Sequence, residues 1–137
     1  MVVSETEQET GMGYVRARIE IANAKDPTNK VLSVTSLVDT GAALLWIPER
    51  VAVQLDLEEL DKRPVRMADG TLRTVPYMGP ILIRFENRRC LAGALVMGDE
   101  VLLGAVPMED LDVLISPLMR KLVVNPESPD TPAPVRV

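Results

Sequence analysis

Val31-Leu32-Ser33-Val34-Thr35-Ser36-Leu37-Val38-Asp39-Thr40-Gly41-Ala42-Ala43-Leu44-Leu45-Trp46-Ile47 decides how this chain is read. The first eight residues are rich in β-branched side chains and read as a strand. The strand runs without interruption into Asp39-Thr40-Gly41, a turn tripeptide, and the chain resumes at once as a continuously apolar segment, the pattern of a strand covered on both faces. A carboxylate is thereby set on a sharp turn between two buried strands. Thr40 adds a hydroxyl able to donate and accept, and Gly41 lets the backbone turn tightly and leaves room for an approaching ligand. An ordinary strand-end turn, with Asp-Thr-Gly chosen for its turn chemistry, accounts for the tripeptide equally well at this point.

Outward from this stretch the pattern is mostly β. Toward the N-terminus, Val15, Ala17, Ile19 and Ile21 alternate with Arg16, Arg18 and Glu20, which is the period of a half-buried strand. Residues 24–30, with Asp26-Pro27 and Thr28-Asn29, form a turn. Toward the C-terminus, Pro48 suits a helix start, and a helix to about Leu57 would bury Val51, Leu55 and Ala52. Val65-Arg66-Met67 and Thr71 to Val75 flank Ala68-Asp69-Gly70, a strong hairpin signal. Ile81, Ile83 and Phe85 alternate along a further strand, residues 90–96 return from a turn at Asn87, and Val101-Leu102-Leu103-Gly104 is a short apolar strand closed by glycine. Pro107 opens a helical turn through Leu111, and Leu122-Val123-Val124 is the last strand. The boundaries that follow are a flexible acidic leader over 1–12, one domain over 13–126 and a disordered Pro-rich tail over 127–137.

Composition narrows the chemistry. At 137 residues the chain suits one domain, able to bury roughly two-thirds of its unfolded surface. With no histidine, Ser-His and Cys-His pairs and nearly all zinc sites are excluded, so catalysis would run on carboxylates, hydroxyls or lysine. Twenty acids against fifteen bases leave a charge of -5, which repels phosphate backbones, so no nucleic-acid partner is expected. No apolar run is long enough for a membrane span, and the single cysteine, Cys90, reads as a small buried hydrophobe in a cytoplasmic protein. Arg88-Arg89 reads as a solvated hairpin end and Trp46 as a core anchor. Glu109, Asp110 and Asp112 lack the glycine and spacing of a calcium loop, so neither metal nor cofactor is expected.

The order of Leu37-Val38-Asp39-Thr40-Gly41-Ala42, a hairpin near Gly70 and Leu102-Leu103-Gly104 resembles that of the single-domain, retropepsin-like aspartic proteases. The run from Arg120 to Pro126 is similar to their closing strand. The resemblance covers residues 13–126 and implies a closed barrel of short strands with one or two short helices, forming half of a two-fold symmetric aspartic protease. It implies Asp39 as the catalytic carboxylate with Thr40 and Gly41 supporting it, and Leu103-Gly104 packed behind the loop. Ala42 and Ala43 would line the substrate site, and Met67, Ala68, Asp69, Gly70 and Thr71 would form a flap over a bound peptide. Only one such tripeptide is present, so a working pair requires a homodimer. Viral relatives carry polar or acidic residues after Asp-Thr-Gly-Ala and arginine after the later glycine. Ala43, Leu44 and Ala105 stand there in this chain, implying more apolar subsites. The functions that follow are an aspartic endopeptidase or, alternatively, a weakly active or inactive dimeric scaffold that binds extended peptides.

Overall fold

The computed structural model describes residues 14–135, so the leader read over 1–12 lies outside the described residues. Strand β1 (Val15–Asn23) buries Ala17, Ile19 and Ile21 and turns Arg16, Arg18 and Glu20 outward, following its period of two. It pairs antiparallel with β2 (Val31–Val38), from Ala22 opposite Val31 to Val15 opposite Val38. The turn between them is anchored by Asn23, which is buried. Its side-chain oxygen accepts the Lys25 amide at 2.9 Å, and its Nδ2 donates to the Leu55 and Asp56 carbonyls at 3.0 Å each.

Those two carbonyls lie just past helix α1 (Glu49–Gln54), so Asn23 satisfies acceptors that the helix leaves open. The helix stops three residues short of the Leu57 expected from sequence. Asp56 takes a positive φ of 54°, and the Leu57 amide turns back to the Ala52 carbonyl at 3.1 Å, which starts the next strand at Glu58.

Strand β3 (Leu45–Ile47) precedes α1; β4 (Glu58–Arg66) and the 14-residue β5 (Leu72–Phe85) follow it, then β6 (Arg88–Val96) and β7 (Val101–Leu103). Hydrogen-bonded neighbours run β1-β2-β7-β3-β6-β5-β4, and β5 also pairs with β1 from Arg84 opposite Glu20 to Ile81 opposite Asn23. That last pairing closes six strands into a barrel, leaving β4 and the first half of β5 as a hairpin projecting from it. The β5-β6 register shifts between Met78 and Ile81, where Pro80 has no N–H to give to the ladder. The fold is the mostly β, closed-barrel architecture expected from sequence.

The barrel is filled by Ile19, Ile21, Leu45, Ile47, Ile81, Ile83, Ala94 and Leu103, and Val51 and Ala52 of α1 and Leu55 just past it belong to the same core. Cys90 lies in this core, and burial, with a smaller push from the charge of Asp110, raises its thiol to about 12. Helix α2 (Ala105–Leu111) starts two residues earlier than Pro107 and contributes Met108 and Leu111 to the core. After it comes a hairpin of β8 (Val113–Ser116) and β9 (Lys121–Val124), registered from Val113 opposite Val124 to Ser116 opposite Lys121. The β9 strand was expected from sequence; β8 was not.

Two expectations about charge and tail need correction. Arg88 is not at a solvated hairpin end: it is 1% exposed, whereas Arg89 next to it is exposed. The guanidinium is buried because the tail folds over it. Arg88 Nη2 donates to the Ser128 carbonyl and stands 3.6 Å from Asp112 Oδ2. Residues 126–135 form no helix or strand, yet they are tethered and do not run free. Asn87 Nδ2 donates to the Pro129 and Asp130 carbonyls, and Asp112 accepts the Ser128 hydroxyl at 2.5 Å, the Ala133 amide at 2.9 Å and Asn125 Nδ2 at 3.1 Å.

These donors hold the Asp112 carboxyl down from 3.8 to about 2, the Ser128 hydroxyl foremost, then the Ala133 amide and Asn125, with a lesser contribution from the Arg88 charge. A lowered folded-state value contributes stability that is complete above the unfolded value and is lost as pH falls through the folded one. Asp112→Asn is therefore expected to lower the melting temperature at neutral pH and to flatten its decline between pH 3.8 and about 2. Melts followed by circular dichroism across that range test this; an unchanged acid limb would show that the tail latch contributes no stability.

Candidate active site

Asp39 follows the last residue of β2, and the strand beside it fixes where it goes. Strand β7 lies between β2 and β3, parallel to β2 with Val38 opposite Leu103, and antiparallel to β3 with Trp46 opposite Leu102. The chain from Val38 to Leu45 must therefore arch over the end of β7, and the arch is the Asp39-Thr40-Gly41-Ala42-Ala43-Leu44 loop.

Backbone hydrogen bonds pin the arch at both ends. The Asp39 amide donates to the Leu103 carbonyl at 3.0 Å, continuing the parallel ladder by one step. The Ala105 and Val106 amides, in the first turn of α2, donate to the Ala42 and Ala43 carbonyls at 2.8 and 2.9 Å. These helix amides have no partner within the helix, so the loop supplies acceptors that the fold needs in any case. Within the arch the Gly41 amide donates to Asp39 Oδ1 at 2.8 Å, and the Ala42 amide to the Asp39 carbonyl at 3.2 Å. One carboxylate oxygen is thereby oriented, and the Asp39 side chain is exposed on the face of the single subunit.

A side chain would be crowded at Gly41 and has no room at Gly104. A Cβ on Gly41 would stand 3.1 Å from Asp39 Oδ1. At Gly104 a Cβ would stand 2.7 Å from the Ala42 carbonyl oxygen and closer still to that of Leu44, with no flexible group able to yield. Leu103, fully buried, fills the barrel beneath the arch. The structure thus brings together Asp39, Thr40, Gly41, Ala42, Ala43, Leu103 and Gly104, seven of the residues singled out by sequence.

The other five lie in the turn of the β4-β5 hairpin. The Met67 amide donates to the Thr71 carbonyl at 2.8 Å, and the Gly70 amide to the Met67 carbonyl at 2.9 Å. Gly70 has φ 88°, a value that favours glycine. Asp69 Oδ1 accepts the Thr71 hydroxyl at 2.6 Å and its amide at 3.0 Å, and these bonds hold its carboxyl below the ordinary range. Ala68 is exposed between them. Met67 is the one residue of the five that also packs toward the arch. It belongs with Val65, Leu44, Trp46 and Tyr77 to a second apolar cluster around Val75, Leu95 and Met97. This cluster ties the hairpin to the far end of the Asp39 loop, and it gives Trp46 its half-buried anchoring position.

One element beside the site was not legible in the sequence. Strand β8 borders Thr40, and its Val113, Leu114 and Ile115 share with it a hollow of about 310 Å³ that is also lined by Ala105, Met108 and the acidic Glu109. The apolar run Val113-Leu114-Ile115 was its only signal, too short to separate from the end of the preceding helix. Among the described residues, no group of three or more acidic or cysteine side chains is placed to hold a metal ion. No helix among them is long and apolar enough to cross a membrane.

No family profile and no curated protein sequence matches the chain. Solved structures do. EIAV protease in complex with the inhibitor HBY-793 superposes with a TM-score of 0.54, over 74% of this chain and 90% of that one, at 19% sequence identity. With the closed six-strand barrel and the interposed β7, this similarity establishes a retropepsin-like fold for the chain.

Gly104→Ala is expected to destabilise the protein by about 1–3 kcal/mol through overpacking against backbone. Gly93→Ala provides the contrast. Its Cβ would meet Tyr77 Oη at 2.5 Å, and that ring end can swing away. Urea unfolding of both variants measures the difference; equal costs would mean that the carbonyls of the arch are free to move.

Proposed function

We propose that the chain is a member of the retropepsin-like aspartic proteases and an endopeptidase that works as a homodimer, two Asp39 carboxylates acting on one water. The observation that carries this reading is the placement of a single exposed carboxylate on an arch held by β7 and α2, so that its position is set by the barrel and not by a mobile loop. A carboxylate alone is a poor base toward water. Two brought together cannot both ionise, so the pair keeps one proton and presents a base and an acid side by side.

In the first step the ionised Asp39 takes a proton from water, and the oxygen forms a bond to the scissile carbonyl carbon. The protonated Asp39 of the second copy gives its proton to the carbonyl oxygen, leaving a neutral gem-diol. In the second step a diol proton returns to one carboxylate and the other carboxyl protonates the amide nitrogen. The C–N bond then breaks, and a carboxylic acid and an amine leave. No covalent acyl-enzyme forms.

Thr40 and Gly41 support the carboxylates in this reading, and Leu103 and Gly104 back the loop. An extended peptide lies beneath the flap of Met67, Ala68, Asp69, Gly70 and Thr71, held in strand-like fashion by backbone hydrogen bonds. Ala42, Ala43 and the neighbouring Leu44 favour apolar side chains around the cleaved bond. The lone thiol of Cys90 fits a cytoplasmic setting.

Incubation with a diverse peptide library from acidic to neutral pH is expected to give cuts that a statine-type transition-state mimic blocks. Asp39→Asn is expected to lower the cleavage rate about 1,000-fold or more with melting temperature unchanged. Turnover retained in that variant would refute the mechanism.

A further inference from the structure

We propose that the groove between β1 and β9 is the docking site of this chain's own N-terminal segment. Residues 5–9 fold back at Gly11-Met12 and lie antiparallel along the first half of β1, with Glu7 opposite Arg16 and Glu5 opposite Arg18. The inference concerns the subunit by itself and holds whether the Asp39 site cleaves peptides or only binds them.

The groove is built from backbone edges and basic side chains. Strand β1 pairs with β2 from Val15 to Ala22, but on its other side β5 takes only Glu20 to Asn23. Among the described residues, the edge from Val15 to Ile19 therefore carries donors and acceptors outside any ladder. Strand β9 approaches β1 here and pairs with β8 alone. Between them is a hollow of about 550 Å³, with buried Phe85 and Leu122 on its lining together with Arg16, Arg18 and Lys121; Glu86 is its one acid.

These bases are weakly committed. Arg16 stands 3.6 Å from Glu100, both side chains about half exposed, and Arg18 donates to the neutral Thr35 hydroxyl at 3.1 Å. Lys121 has no ion pair among the described residues. A sheet edge outside any ladder, flanked by three bases in a chain of charge -5, fits an acidic extended segment.

The N-terminal segment has that chemistry. Residues 1–13 hold Glu5, Glu7 and Glu9 and no lysine or arginine. The three acids alternate with Thr6 and Gln8, so in a strand they share one face. Gly11-Met12 is a two-residue loop with glycine first, the composition of a type II′ hairpin turn. A hairpin closed on that loop sets Thr10 opposite Gly13 and carries Glu7 to Arg16 and Glu5 to Arg18, on the face where both arginines are exposed. Ser4 is the last residue that can join, because from Glu20 onward the edge belongs to β5. Tethering selects this occupant over an acidic peptide from another protein. The segment joins the barrel at Tyr14, two residues before Arg16, and so short a link gives it a local concentration that is roughly millimolar.

The test uses the full chain. Glu7→Cys with Arg16→Cys is expected to form a disulfide within one chain under mild oxidation. Gln8→Cys with Arg16→Cys, one residue out of register, is expected to form about tenfold less. Cys90 is buried and does not compete. Equal cross-linking of the two pairs, or none in the first, overturns the proposal, and a disulfide between two chains, seen as a dimer on a denaturing gel, overturns docking within one chain. Hydrogen exchange is the second measurement, with Glu5→Lys and Glu7→Lys combined. Both positions lie outside the described barrel, so neither substitution removes its packing. Amides of 15–19 are expected to exchange about tenfold faster in this variant than in wild type at low salt, since two attractive cross-strand charge pairs become repulsive. Wild type is expected to lose that protection in about 0.5 M salt. Equal exchange in the two chains at low salt would overturn the inference.

Discussion

The close approach of Gly104 to the carbonyls of Ala42 and Leu44 is the contact on which the rest of this structure depends. Only a residue without a side chain lets β7 end directly beneath the arch that joins β2 to β3, and only there can the first amides of α2 reach the Ala42 and Ala43 carbonyls. The same contact satisfies the start of a helix and fixes the course of a loop. A carboxylate on such a loop keeps its place because the loop backbone is bonded at both ends, which is the preorganisation that general acid–base chemistry requires.

Polar side chains do comparable work at the edges of the barrel. Asn23 closes the β1-β2 turn and the end of α1 with one amide group, and Asp112, at the left-handed end of α2, collects three donors from the last stretch of chain. Arg88 is the costly member of this set. Its Nε and Nη1 have no partner among the described residues, and its charge is neutralised only across 3.6 Å by Asp112. A buried guanidinium with incomplete pairing contributes little net stability; its effect is to fix where the tail must lie.

The surface divides by charge in a way that follows from the topology. The projecting β4 edge is covered in acids and bases that pair locally, Lys62 with Glu59 and Arg63 with Asp61 among them. Strand β8 next to Thr40 and the turn residues Pro117, Leu118 and Met119 carry no charge, which resumes at Arg120 and Lys121. Charges along an edge strand blunt it against further pairing, and β4 carries them while β8 does not.

Much of this was legible in the sequence because it is local. Alternation between Val15 and Ile21, the apolar run before and after Asp39, and Asp69-Gly70 between two strand-like segments each express a backbone preference that tertiary contacts did not override. What the sequence left out depends on contacts between distant residues. Arg88 is buried because residues 40 positions later fold across it, β8 is a strand because β9 pairs with it, and α1 stops at Gln54 where Asn23 takes the carbonyls beyond it. The residue types of the site were set by sequence; their gathering around Asp39 was decided by β7 threading between two strands that the chain itself joins.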